Sequence, residues 1–325
     1  MRPALLTLLL AIAAVAALPP AAHGALRVGI GENNFGLFDD PAFLRLDVTD
    51  VRVVAPFDVM RRGGFARDRL TQYLVRARAA GMRPLVTFEH SAGGGAACRK
   101  PRAWHRRQCR LPKGVTYERD LRRFFRAFPW VRQIAPWNEA NHYTQPTSRD
   151  PAAAARFANA ARRVCPRCTI VLADVLDQAD QGTNTRPLPR YLDTLAWIRR
   201  YRRALKVPRR VCGVHNYSDT NRFRSTGTAT VIRALGCRQI WLTETGGIYH
   251  LGAFRPNARR QARAIRWMFR LARSTPRIKR LYVYTWFGGM TPGFDAGLVI
   301  RGKQRRAYTE FRKRIRATPR GAFAR

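Results

Sequence analysis

The chain has 325 residues, 46% of them hydrophobic, and carries 61 Lys and Arg against 20 Asp and Glu, a net charge of +41. That is enough for one large domain or two small ones, and past the N-terminus no segment is long and apolar enough to span a bilayer, which excludes a helical protein of several membrane spans. The positive field would attract anionic polymers, but no nucleic-acid-binding motif accompanies it, and arginines such as Arg259, Arg260, Arg263, Arg266, Arg270 and Arg273 fit solvated helix faces, so no specific nucleic acid is expected.

In chain order, residues 1–24 place one early Arg before a short apolar stretch and end in small residues at Ala22 and Gly24. This is the pattern of a secretory signal peptide cleaved after Gly24, with a retained N-terminal anchor as the alternative. Short β-branched runs then alternate with amphipathic stretches. Strands are expected at Leu26–Ile30, Val51–Ala55, Arg83–Phe88, Gln133–Trp137, Thr169–Ala173, Arg210–His215, Gln239–Thr243 and Leu281–Thr285. Each is apolar on both faces, as parallel strands buried between a barrel interior and a helical shell would be.

Helix signals lie between them. Asp150-Pro151 supplies an N-cap and a proline at the first helical position before the Ala-rich run to Val164. Pro256 to Ala272 has helical spacing of Ala262, Ile265, Met268, Phe269 and Ala272, and Gly81 and Gly236 stand where helices should end. The alternation predicts an α/β protein with a closed (β/α)8 TIM barrel as a single domain over 25–316, followed by a basic, disordered tail at 317–325. A monomer is expected.

Six cysteines in an exported chain should pair, and sequence neighbours suggest Cys98 with Cys109, Cys165 with Cys168, and Cys212 with Cys237. Cys165-Pro-Arg-Cys168 also fits a redox or zinc motif, but no second pair at metal-ligand spacing supports that reading. The longest irregular stretch, Ser91 to Gly114, holds the first pair and Trp104 and should lie over the barrel mouth. No calcium-loop or H-E-x-x-H spacing occurs, so neither metal nor cofactor is expected.

Catalytic groups of such barrels project from the C-terminal strand ends. There the chain places Arg52 on the second strand, His90 after the third, Asn138 and Glu139 after the fourth, His215 and Tyr217 at the sixth, Glu244 at the seventh and Trp286 at the eighth. Two carboxylic acids at strand tips are what glycosidic-bond cleavage requires.

This ordered set resembles the clan A glycoside hydrolases, particularly the retaining enzymes of family 5. Their pattern has Arg on strand two, His after three, Asn-Glu after four, His-x-Tyr after six, Glu after seven and Trp after eight. Family 5 enzymes usually have Pro after the first Glu, where this chain has Ala140. The W-N-E-A-N context is also similar to family 39, and a small uncharacterised family of the clan fits too.

The resemblance implies a secreted, extracytoplasmic enzyme that cleaves β-glycosidic bonds with retention. Glu139 would be the acid/base, holding a proton near neutral pH, and Glu244 the ionised nucleophile, with carboxyl groups about 5–5.5 Å apart. Arg52 and Tyr217 would hold Glu244, Asn138 would contact the sugar 2-hydroxyl, and His90 and His215 would bind hydroxyls or orient Glu139. Trp286 would be an apolar platform. Tyr143 and Tyr249, in loops just after the two acids, are expected to touch substrate; Trp104, Trp137, Trp241 and Phe287 are further stacking surfaces, with barrel packing equally open for Trp137 and Trp241. The substrate is a poly- or oligosaccharide, acidic if the charge is used. The alternative is a non-catalytic cationic barrel that binds an anionic cell-surface polymer.

Overall fold

In a computed structural model of the chain, eight parallel strands close into a barrel in chain order: β1 (Arg27–Gly31), β2 (Asp50–Pro56), β3 (Arg83–Glu89), β4 (Gln133–Ala135), β5 (Thr169–Leu176), β6 (Val211–His215), β7 (Gln239–Thr245) and β8 (Ile278–Tyr284). The circle closes where β8 pairs with β1, Arg27 opposite Arg280 and Gly31 opposite Tyr284. The structure describes residues 26–316 apart from 47, 95–97, 99, 107–108, 179–192, 253–254 and 291–292. The expected leader (1–24) and tail (317–325) lie outside the described residues.

The shell comprises α1 (Gly64–Ala79), α2 (Gly114–Ala127), α3 (Pro151–Val164), α4 (Thr194–Ala204), α5 (Thr226–Leu235), α6 (Ala258–Ser274) and α7 (Arg306–Arg316). Asp150 caps α3 as expected, its carboxylate accepting from the Ala153 N–H at 2.8 Å with Pro151 behind it. α6 starts two residues later than the apolar spacing predicts, because Asn257 takes the cap and accepts from the Arg260 N–H at 2.8 Å. Gly236 ends α5 in the left-handed region at φ 63°, and Gly81, at φ 64°, follows the end of α1. Among the described residues of the first crossover are a 3-10 turn at Phe35–Asp39 and a short helix at Pro41–Leu44.

All eight expected strands are present, with bounds that differ from the expectation by up to three residues. β4 stops at Ala135 instead of Trp137, and β5 runs on to Leu176 through a register shift between Leu172 and Val175. Ala173 and Asp174 sit in the shift at φ 67° and 53°. A bulge of this kind turns a side chain that would otherwise alternate outward.

The barrel interior has three levels. At the floor, Asp50 meets Arg27 at 2.7 Å, Arg280 at 3.2 Å and Arg83 at 3.3 Å. Arg280 also reaches across to Gln133 at 2.6 Å and lies 3.8 Å over the Trp241 ring. The middle level is apolar, formed by Leu85, Ala135, Val171, Val211, Trp241 and Tyr282. The upper level is polar again, with Arg52, Asp174, His215 and Thr243 all buried.

Three disulfides join Cys98–Cys109, Cys165–Cys168 and Cys212–Cys237 with Cα separations of 5.0, 5.3 and 5.9 Å, the pairing expected from sequence proximity. No helix among the described residues is long and apolar enough to cross a membrane.

Candidate active site

The upper level of the barrel is organised around Arg52. Its residue is 1% exposed, and its guanidinium donates to Glu244 Oε1 at 2.6 Å, to Asn138 Oδ1 at 2.7 Å and to Asp174 Oδ2 at 3.3 Å. Burial alone would lower the Arg52 pKa, but Glu244 and Asp174 outweigh it and raise the pKa, so the cation is permanent. One side chain on β2 thereby ties together groups from the ends of β4, β5 and β7.

His215, fully buried at the end of β6, is the second hub. Its Nε2 lies 3.4 Å from Asp174 Oδ1, and its Nδ1 lies 3.3 Å from Glu139 Oε1 and 3.7 Å from Glu244 Oε2. Burial lowers its pKa, yet Glu244, Asp174 and Glu139 raise it to about 10, so the ring is an imidazolium at neutral pH. Glu139 responds in the opposite sense: burial raises its pKa, but His215, His142 and Arg52 bring it down to about 2. These opposed shifts favour the proton on His215 over Glu139, because a cation among three carboxylates is stabilised.

Asp174 completes the cluster and was not among the residues singled out from sequence. Its side chain is fully buried and accepts from the Thr243 hydroxyl, from Arg52 and from His215. Burial raises its pKa, but His215, Arg52 and Thr243 together lower it. Room for it comes from Gly213 on β6: a Cβ there would stand 2.2 Å from Asp174 Oδ1. The sequence signal was available, since Asp174 directly follows the apolar run ending at Ala173, as Asn138-Glu139 follows the run ending at Trp137.

Glu139 holds φ 45°, a left-handed conformation uncommon for a residue with a side chain. His142 is a second missed neighbour. Its amide donates to the Glu139 carbonyl at 2.7 Å, its Nδ1 lies 3.7 Å from Glu139 Oε2, and the same nitrogen is 2.6 Å from Thr144 Oγ1. Tyr217 donates to Glu244 Oε2 at 3.4 Å; burial, then Glu244, raises its pKa well above 10.0, which keeps the phenol protonated.

The remaining expected residues divide. His90 is buried at the end of β3, 3.6 Å from Glu89, and neither ring nitrogen has a hydrogen-bond partner among the described residues. Tyr143 lies on the rim beside His142, 36% exposed. Tyr249 is packed 4.0 Å beneath the Arg305 guanidinium, just before the two-stranded ribbon that pairs His250–Leu251 with Phe294–Asp295. Trp137 stacks on Phe57 and Phe157, Trp241 lies in the apolar middle level of the barrel over Arg280, and the Trp104 indole donates to the Cys98 carbonyl at 2.9 Å.

Trp286 is not brought to this group. It is fully buried, donates to Asp40 Oδ2 at 3.0 Å and packs edge-on against Phe43 and Tyr308, so no face is left for a sugar. The aromatic wall on that side consists of Tyr284, at the end of β8, and Tyr217, both against Phe294 with ring centroids 6.2 and 5.9 Å away. Glu32, also missed, anchors this segment: one carboxylate oxygen accepts from Asn33 and Asn34, the other from Thr285, Trp286 and Phe287.

Ligand atoms of Glu139, His215 and Glu244 lie within 4.8 Å of one another, a spacing that a cation could use. Arg52 at 2.6 Å from Glu244 and the His215 imidazolium place two positive charges there, which opposes a metal ion and suits a proton-sharing cluster instead.

No family model matches the chain, and no curated protein matches it. Its structure is similar to that of a β-glucosidase designated 1317, at 16% identity and TM-score 0.57, with 87% of each chain covered. It is similar to a family 5, subfamily 18 glycoside hydrolase from Bifidobacterium longum subsp. infantis, at 13% identity and TM-score 0.61, covering 91% of this chain and 79% of that one. A psychrophilic family 10 endo-β-1,4-xylanase aligns at 14% identity and TM-score 0.61, over 89% and 96% of the two chains. The chain thus has the TIM-barrel fold shared by the clan A glycoside hydrolases.

Proposed function

We propose that the protein is an extracytoplasmic glycoside hydrolase that cleaves β-glycosidic bonds with retention, with Glu244 as nucleophile and Glu139 as acid/base. The observation that carries this reading is the pair itself: carboxylate oxygens of Glu139, just past β4, and Glu244, at the end of β7, within 4.8 Å of each other across the barrel mouth. Retaining enzymes hold their carboxyl groups about 5–5.5 Å apart, whereas inverting ones leave roughly 6.5–9.5 Å for a water.

In the first step a Glu244 oxygen attacks the anomeric carbon as the bond to the leaving oxygen breaks. That oxygen takes a proton that His215 first passes to Glu139 across the 3.3 Å contact from its Nδ1, which leaves Glu139 ionised and His215 neutral. In the second step water attacks the glycosyl ester, gives its proton to Glu139 and frees Glu244. Arg52 fixes the Oδ1 end of Asn138, leaving the Nδ2 end to donate to the sugar 2-hydroxyl. His90 would meet another hydroxyl, and Tyr284 and Tyr217 take the walling role that Trp286 lacks.

A barrel that only holds an anionic polymer gains nothing from burying Arg52, Asp174, His215 and Glu244 together, an arrangement that carries a large desolvation penalty. The three disulfides favour an oxidising compartment. The test is a panel of β-linked glycans, with the product anomer followed by NMR. Retained configuration and loss of turnover in Glu244→Gln are expected; full activity of that variant on every glycan cleaved by the parent refutes the assignment.

A further inference from the structure

Helix α6 carries Arg259, Arg263, Arg266, Arg270 and Arg273, all exposed, at steps of four, three, four and three residues. That spacing keeps them on one face, as a stripe about 21 Å long with a guanidinium roughly every 5 Å. No acidic residue occurs anywhere in the helix. An ordinary solvated face intersperses acids at such positions, because like charges three and four apart destabilise the helix, and basic residues in the first turn oppose its dipole. The stripe is therefore maintained against local helix stability.

At its lower end the stripe borders a cavity of about 450 Å³ lined by Arg266, Arg270, Arg273, Ser274 and Arg314 of α7. Glu310 is the acid at this groove, 2.8 Å from Arg266 and 3.8 Å from Arg314, so positive charge is in excess. Stacking preorganises several guanidiniums: Arg263 lies 4.1 Å over Phe223 and Arg270 lies 5.4 Å over Trp267. Stacking occupies the face of the plane and leaves its N–H edge for oxyanions, while half-exposed Trp267 offers an apolar surface of the kind sugar rings pack against. α6 begins beside the loop after β7, where Arg260 donates to the Ile248 and Tyr249 carbonyls, and descends toward β8. The stripe thus leads away from the barrel mouth.

We propose that the α6 arginine stripe, with Arg314, is a docking track for an acidic polysaccharide, distinct from the catalytic cleft and delivering the polymer to it. The choice of a glycan among polyanions rests on the glycosidase reading. Binding is measured on the full chain carrying Glu244→Gln, with polygalacturonate as probe and salt varied from ~50 to ~400 mM. The triple variant Arg266→Ala/Arg270→Ala/Arg273→Ala is compared with Arg199→Ala/Arg200→Ala/Arg203→Ala, which removes equal charge from exposed positions of α4.

The track predicts at least ~10-fold weaker binding for the first triple and under ~2-fold for the second, with the salt slope reduced by about three only in the first. Equal losses in both triples, or no saturable binding by the parent at ~0.1 M salt, overturn it. So does a single-stranded DNA that displaces polygalacturonate and depends on the same arginines, since the track then serves nucleic acid. If the intact protein binds through the stripe but hydrolyses no glycan, the glycosidase reading fails and the track stands.

Discussion

Replacing Gly213 by Ala tests whether the Asp174 carboxylate is what holds the catalytic cluster in register. The new Cβ would stand 2.2 Å from Asp174 Oδ1, 2.9 Å from Thr243 Oγ1 and 3.0 Å from the Asp174 Cα, where ordinary contact begins at 3.4 Å. The backbone atom cannot retreat easily in a barrel, so the carboxylate must move by about 1 Å. Its contacts at 3.3 Å to Arg52 and 3.4 Å to His215 then lengthen together. Overpacking of this kind costs about 1–3 kcal/mol, and a 1 Å displacement around reacting groups costs on the order of 10²-fold in rate. Urea unfolding, turnover of the best glycan from the panel and an NMR titration of His215 read the three consequences. The His215 pKa should fall from about 10, since Asp174 is one of the groups that raise it. Asp174→Ala should add less damage in the Gly213→Ala background than in the parent, because both act on one contact. A variant with unchanged stability, rate and His215 titration would refute the reasoning.

Further outcomes are expected elsewhere. Glu139→Gln should lose about 10²- to 10⁴-fold in kcat on glycosides with poor leaving groups and far less on those whose leaving group needs no proton, as steady-state kinetics would show. His215→Asn should destabilise most below pH 6.5, with the effect shrinking as pH rises toward about 10. The sign follows from a folded-state pKa raised above the unfolded one: the stabilisation is complete below the unfolded value and lost through the folded value. Urea midpoints across that range check it, and a deficit that grows with pH contradicts it. Removing Cys212–Cys237, with a separation of 25, should cost about 3.5 kcal/mol and removing Cys165–Cys168, with a separation of 3, about 1.6 kcal/mol on loop entropy. Equal melting-temperature losses in the two Cys→Ala pairs would contradict that ordering.

The barrel was legible because each strand is a continuous apolar run, the mark of burial on both faces. What escaped were features decided by distant partners. Trp286 ends its strand as an exposed platform would, but Asp40, Phe43 and Tyr308 supply a hydrogen bond and two ring edges from other parts of the chain. Asp174 escaped because the expected β5 stops at Ala173, three residues short of its end at Leu176, and left-handed residues at a bulge have no periodicity to read. His142 lies in a loop, where only the position of Glu139 gives it meaning. The lowered pKa of Glu139 has a related origin: His215, 76 residues away in sequence, lies against it and is itself shifted toward the cation by Glu244 and Asp174.

The layering of the barrel interior also bears on how stability changes with temperature. Exposing apolar surface on unfolding raises heat capacity, while exposing polar surface lowers it. With guanidiniums, carboxylates and an imidazolium above and below a single apolar level, this interior contributes less heat capacity than one filled with aliphatic side chains. The desolvation penalty of its ions also declines on heating. Both effects flatten the stability curve, so the charged floor around Asp50 and the charged ceiling around Arg52 weaken less on warming than a hydrocarbon filling would.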